Sequence, residues 1–274
     1  MKKERDYVLG TNDEEIERLG LQHRIWRAAV LDCWHRAGLT VGRKVIDIGA
    51  GPGYATIDLA EIVGPTGQVT AVERSAHFVQ AIKETCRGRG LSNVRVHEMD
   101  LMTDELPGTD HDFSWCRWVL CFVSDPARLI KKIAGALRPG GRAIFYEYGH
   151  YRTWRHSPRL PIQEEFVERV MESWRETGGE ADAGMEILPM VVEQGMTIQS
   201  IKPHVYCVRP NDYMWQWPAA FIQSAPERLQ ELGKVDQAFV DQLQAAFALA
   251  EANPASVITT PLVLEIVAQK GSTA

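Results

Sequence analysis

Apolar, β-rich runs alternate with segments of helical periodicity between residues 44 and 147, and few folds accept that order. Lys44–Ile48 reads as a buried strand, and Tyr54–Val63 reads as a helix with Ile57, Leu59, Ala60, Ile62 and Val63 at its apolar positions. Residues 67–73 form a second strand after the turn Gly64-Pro65-Thr66-Gly67. Ser75 suits the N-cap of a helix over 75–89, and 94–97 and 112–117 read as the third and fourth strands. Residues 126–137 have helical spacing, and the turn Arg138-Pro139-Gly140-Gly141 leads into a fifth strand over 142–147. Such βα alternation builds a parallel sheet with helices on both faces.

The remainder is patterned differently. The first 40 residues look helical, with Ile16, Leu19, Ile25, Trp26, Val30 and Leu31 on the apolar face. Residues 149–182 are rich in Arg, Trp and Glu, carry Pro158 and Pro161, and contain no convincing strand. A helix over 185–195, a long β segment over 196–208, a helical stretch over 211–250 and a last strand over 257–268, broken near Pro261, complete the chain.

A chain of 274 residues suits one large domain carrying cap elements, at 1–40, 149–182 and 211–250. Its formal net charge of −6 argues against a dedicated nucleic-acid binder. No apolar run approaches the roughly 20 residues of a membrane span, and the charged N-terminus has no following apolar core, so no signal peptide is read. The five cysteines show no CxxC pair, which implies reduced, mostly buried thiols in a cytoplasmic protein and no structural zinc.

The turn after the first strand, Gly49-Ala50-Gly51-Pro52-Gly53, lets a ligand approach the backbone closely at a helix N-terminus. A P-loop needs a Gly-Lys-Ser/Thr ending, which is missing. A nicotinamide or flavin fold places its third glycine three residues after the second, whereas here the spacing is Gly-x-Gly-x-Gly. Asp47, two positions before the first glycine, would repel a pyrophosphate and tolerate a cationic ligand.

These motifs resemble those of the class I S-adenosylmethionine-dependent methyltransferases. Asp47 to Gly53 looks like the family's first motif, with Gly49, Ala50, Gly51 and Gly53 against the cofactor. Glu73, with Arg74 beside it, falls where the family places the acid that accepts both ribose hydroxyls. Asp100 falls where an acid usually contacts the adenine amino group, with Leu101 beside the ring. Arg117 and Trp118 follow the fourth strand, and the run 137–145 resembles the family's next turn and strand. Tyr7 and Gln22 occupy an N-terminal segment like the lid of small-molecule members, near the methionine end of the cofactor; a surface helix capped by Thr11 or Asn12 is the alternative. The resemblance implies a Rossmann-like, seven-stranded α/β sheet in the order 3-2-1-4-5-7-6, with only the last strand antiparallel. It also implies S-adenosylmethionine as cofactor and no metal.

The acceptor is less legible. Tyr148, Tyr151, Trp154, Phe166 and Trp174, with Tyr213, Trp215 and Trp217 farther on, either line an apolar or aromatic pocket for a small molecule or fill the core beneath the cap. His150, just past the fifth strand, is either a general base or a non-catalytic loop histidine, and His156 is a weaker candidate. Arg152, Arg155, Arg159, Arg169 and Arg175 read as a solvated face paired with nearby glutamates. The expected activity is methyl transfer to a small acceptor. A protein side-chain methyltransferase, a catalytically inactive cofactor-binding scaffold and a nicotinamide oxidoreductase are the rivals.

Overall fold

The computed structural model describes residues 10–272. Along the chain, α1 (Asp13–Arg36) precedes β1 (Lys44–Ile48), α2 (Tyr54–Val63), β2 (Gln68–Glu73), α3 (Ala76–Arg89), β3 (Val94–Glu98), β4 (His111–Arg117), α4 (Pro126–Ala136) and β5 (Leu137–His150). Then come β6 (Arg155–Ser157), α5 (Pro161–Glu176), α6 (Ala183–Glu193), β7 (Met196–His204), β8 (Cys207–Val208), α7 (Gln216–Glu231), α8 (Gln237–Glu251), β9 (Val257–Thr259) and β10 (Leu262–Lys270).

Seven strands make the main sheet, in the order β3-β2-β1-β4-β5-β10-β7. β1 to β5 pair in parallel, and β10 runs antiparallel to both of its neighbours. Numbered within the sheet alone, this is the expected 3-2-1-4-5-7-6 with the last strand reversed. β1 and β10 are buried along almost their whole length because both faces are covered, whereas the edge strands β3 and β7 alternate with exposed positions. Phe113, Trp115, Ile144, Tyr146 and Tyr148 face the core shared with α1, α2 and the cap helices. Their alternating neighbours Cys116, Ala143 and Phe145 face α4 and α6, through Leu129, Ile130, Ile133, Ile187 and Val191.

The helix starts follow capping chemistry. Asn12 accepts the Glu15 amide at 2.9 Å and fixes the beginning of α1, so Asn12 rather than Thr11 is its cap. Ser75 accepts the Phe78 amide and begins α3. Two details depart from expectation, while the break near Pro261 is as expected. β5 runs from Leu137 to His150, longer than the 142–147 read from sequence, because Leu137 pairs with His111 across an irregular register. The C-terminal strand is two strands separated at Thr260-Pro261. The first of these, β9, joins β6 and β8 in a small three-stranded sheet, so the 149–182 segment does contain a short strand.

The arginines of the cap pair as expected of a solvated face: Arg152 with Glu168, Arg155 and Arg159 with Glu164, Arg169 with Glu165 and Glu172, and Arg175 with Glu180. All five cysteines are free, and only Cys207 is exposed. Among the described residues no helix is long and apolar enough to cross a membrane.

Candidate functional site

A cavity of about 700 Å³ opens at the carboxyl ends of β1 to β4, where a doubly wound sheet characteristically binds ligands. Its walls contain Gln22, Asp47, Gly49, Ala50, Gly51, Glu73, Arg74, Asp100, Leu101, Arg117 and Trp118. The fold therefore gathers at one place eleven residues that are up to 96 positions apart in sequence. Tyr7 lies outside the described residues.

Each part of the wall has a local cause. Gly49 sits at φ +65°, and a Cβ there would fall 2.6 Å from Val119 Cγ2, so β1 turns against the loop after β4 only with glycine present. Asp47 is almost wholly buried and accepts the Thr56 hydroxyl at 2.6 Å, while burial pushes its carboxyl up to about 6. Glu73 Oε2 accepts the Gly51 amide, and its Oε1 accepts the amides of Arg74 and Ser75, all at 2.8 Å. Burial nevertheless raises the Glu73 carboxyl above the ordinary value. Asp100 Oδ1 accepts the Met102 amide at 2.8 Å and closes the turn that carries Leu101, Met102 and Thr103 into the wall.

Two buried groups that the sequence reading passed over shape this wall from behind. Lys132 of α4 donates through Nζ to the carbonyls of Leu101 at 2.9 Å, Met102 at 3.4 Å and Asp104 at 2.6 Å, and so fastens the 100–104 turn. Glu147 of β5, fully buried, accepts the amides of both Val119 and Leu120 on Oε1 at 2.8 Å. Burial pushes its carboxyl up to about 7. Trp118, the residue before Val119, has φ +51°, a left-handed conformation that costs a non-glycine residue about 1–3 kcal/mol. The Glu147 contacts and the bond from the Trp118 amide to the Tyr146 carbonyl, 2.8 Å, hold it there. A lone carboxylate inside the apolar run of β5 was the available signal for Glu147; an ordinary-looking Lys131-Lys132 pair gave none for Lys132.

Arg117 lies between the rings of Trp115 and Trp118, 5.8 and 5.2 Å from their centroids. Its Nη2 meets His23 Nδ1 at 3.2 Å, and burial brings its guanidinium down to about 10. His23 meets Asp58 at 3.1 Å through its other nitrogen, and burial lowers its affinity for a proton. Arg27 also binds Asp58, at 2.8 Å. This network ties α1 to α2 and to the end of β4.

A second, small space of about 30 Å³ adjoins the first. Gln22, Trp118 and Phe122 line both. Its other walls are Tyr148, Tyr151, Trp154 and Trp174 from the aromatic segment after β5, Trp217 and Phe221 from α7, and Arg18 from α1. Trp118, Tyr148 and Trp217 stand nearly parallel, with interplanar angles of 7–21°. Phe166 and Trp215 are buried elsewhere, and Tyr213 is exposed.

Gly53, His150 and His156 stand apart from these walls. Gly53 does not line the cavity; it is the N-cap of α2 at φ +88°, where a Cβ would strike Ile82 Cγ1 at 2.6 Å. His150 lines neither space, because β5 carries it to the sheet's end, exposed and 3.8 Å from Asp182. His156 is buried but turned to the Pro158 carbonyl at 3.0 Å, away from both spaces. Among the described residues no cluster of three or more His, Cys, Asp or Glu side chains is placed to hold a metal.

Residues 45–141 match a family model described as a methyltransferase domain. Over 143 residues the chain is 33% identical to a demethylmenaquinone methyltransferase of Staphylococcus aureus; the match covers 52% of this chain and 54% of that protein. The chain thus spans about half the length of the curated relatives it matches. A putative methyltransferase from Bacillus halodurans superposes with a TM-score of 0.60 at 14% identity, covering 89% of this chain and all of that one. Geranyl diphosphate C-methyltransferase from Streptomyces coelicolor, solved with S-adenosyl-L-homocysteine, gives 0.59 at 15% identity, covering 90% of this chain and 77% of that one. At these identities the structural likeness is one of fold. Residues 45–141 thus match a methyltransferase domain model, and the seven-stranded sheet to which they contribute β1 to β4 and the start of β5 has the fold of these solved structures.

Proposed function

We propose that the protein transfers a methyl group from S-adenosylmethionine to a small, partly apolar or aromatic acceptor. The observation that carries this reading is the junction of two spaces. A nucleotide-sized cavity walled by Asp47, Gly49, Glu73 and Asp100 meets an aromatic-walled space across Gln22, Trp118 and Phe122.

The residues present fit the cofactor. Glu73 Oε2 takes one backbone amide and keeps a lone pair, which suits a ribose hydroxyl. Asp100 Oδ2 accepts no described hydrogen bond and suits an exocyclic amine. Gly49 and Gly51 leave main-chain atoms open to close approach. When bound, S-adenosylmethionine supplies a sulfonium methyl activated for displacement by a nucleophile. The chain's own part is to align the acceptor and keep water out, for which rings are well suited. The name of the Staphylococcus aureus relatives, demethylmenaquinone methyltransferase, also supports an acceptor with apolar surface.

The test is a panel of small phenols, quinols, amines, carboxylic acids and peptides incubated with the protein and S-adenosylmethionine, with S-adenosylhomocysteine release as the readout. Turnover of one aromatic class above the rest is expected. Turnover only with peptides, or with no acceptor despite tight cofactor binding, would favour the protein-directed or scaffold readings instead.

A further inference from the structure

Gln22 is, among the described residues, the one amide side chain that lines both spaces. Its Oε1 accepts from Trp217 Nε1 at 3.2 Å and from Arg18 Nη1 at 3.2 Å. Indole and guanidinium nitrogens are donors with no acceptor capacity, so together they settle which end of the amide faces them. The oxygen must point to the aromatic space, and the NH2 group is left for the other side, where the larger cavity lies. Gln22 is buried, so its orientation is not averaged by solvent. Trp217 belongs to α7, stacks on Trp118 and Tyr148, and lines only the small space.

We infer that Trp217 is a positioning residue for the cofactor, acting through Gln22 although it lines no part of the cofactor cavity. The indole N–H holds Gln22 Oε1, and this aims Gln22 Nε2 at an acceptor group of the cofactor, of which the methionine carboxylate is the anionic one. The same bond runs in both directions. A cofactor that fixes Gln22 also fixes Trp217, and with it the stacked rings that wall the acceptor space. Occupancy of one space therefore favours the formed state of the other, by the reciprocity that linkage requires. The inference rests on the cofactor reading given under Proposed function.

The experiment is calorimetric titration of the full chain with S-adenosylhomocysteine, for the wild type, Trp217→Phe, Gln22→Met and the double variant. Trp217→Phe keeps an aromatic ring and removes the N–H. It should weaken S-adenosylhomocysteine binding roughly three- to ten-fold, the scale of one neutral hydrogen bond. Gln22→Met should weaken it at least as much, and Trp217→Phe should then add nothing in the Gln22→Met background. Trp215→Phe controls for general damage: it also loses an indole hydrogen bond, to Glu251 at 2.8 Å, but touches neither space, and it should bind like the wild type. Wild-type affinity in a folded Trp217→Phe, or fully additive losses in the double variant, would overturn the relay while leaving the cofactor reading intact. Failure of the wild type to bind S-adenosylhomocysteine would overturn both.

Discussion

Gly51 donates its backbone amide to Glu73 Oε2 at 2.8 Å, joining the glycine turn after β1 to the acid that ends β2. The glycines alone say that something approaches the backbone; this bond sets an acceptor carboxylate beside them. Glu73→Ala should weaken binding of S-adenosylhomocysteine by about 1.5–3 kcal/mol, the scale of lost charge-assisted hydrogen bonds. Calorimetric titration measures it, and unchanged affinity would place the ribose elsewhere.

Glu147 gives a pH-dependent prediction. Its folded carboxyl lies at about 7, above its ordinary 4.5, because burial disfavours the charge more than the amides of Leu120 and Val119 favour it. Below pH 4.5 the group is protonated whether folded or unfolded and contributes no difference. Between 4.5 and 7 the unfolded chain ionises first, so this group progressively destabilises the folded protein, and the effect is complete above 7. Glu147→Gln lacks the titration. Its melting temperature minus that of the wild type should therefore rise from pH 4.5 to 7.5 and then level. A difference independent of pH would contradict the buried, raised carboxyl.

His150→Ala should leave turnover close to that of the wild type, since the side chain is exposed and outside both spaces. Steady-state kinetics with any accepted substrate decides it. A hundred-fold loss in kcat, on the scale of a missing general base, would return His150 to the reaction.

Lys132→Met should loosen the 100–104 turn, because three carbonyls lose a common donor. An expected cost of about 1.5–3 kcal/mol is the scale of hydrogen bonds from a charged donor, here to partly buried carbonyls. Part of it should appear as weaker S-adenosylhomocysteine binding and part as a lower melting temperature. A change in melting temperature with no change in affinity would show that the turn is not part of the cofactor wall.

Much of this was legible because the cues are local. The strand order could be expected from the βα alternation and the motif resemblance, and Asp47, Gly49, Glu73, Asp100 and Arg117 stand at strand ends that such a sheet must bring together. Glu147 carried a signal, a lone carboxylate in an apolar run, but its partners did not, and Lys132 and the Gln22–Trp217 bond were not legible; these contacts span 27 or more residues, 195 in the last case. The small sheet escaped notice for a related reason: β6, β8 and β9 have only two or three residues each and find their pairing 50 or more positions apart. His150 lies outside both spaces because proximity to the end of β5 in sequence does not say where the strand leaves the cavity wall. Residue 148 faces the small space and residue 150 has already passed it.

The central claim is that the cavity at the carboxyl edge of the sheet takes the adenosyl cofactor. Ligand-dependent thermal shift tests it directly, comparing S-adenosylhomocysteine with NAD⁺ and NADP⁺ at equal concentration. A ligand present at 100 times its dissociation constant should add about 2.7 kcal/mol to stability, well above detection. S-adenosylhomocysteine should raise the melting temperature of the wild type, and Glu73→Ala should lose most of that rise. Stabilisation by the nicotinamide dinucleotides, with none by S-adenosylhomocysteine, would contradict the account.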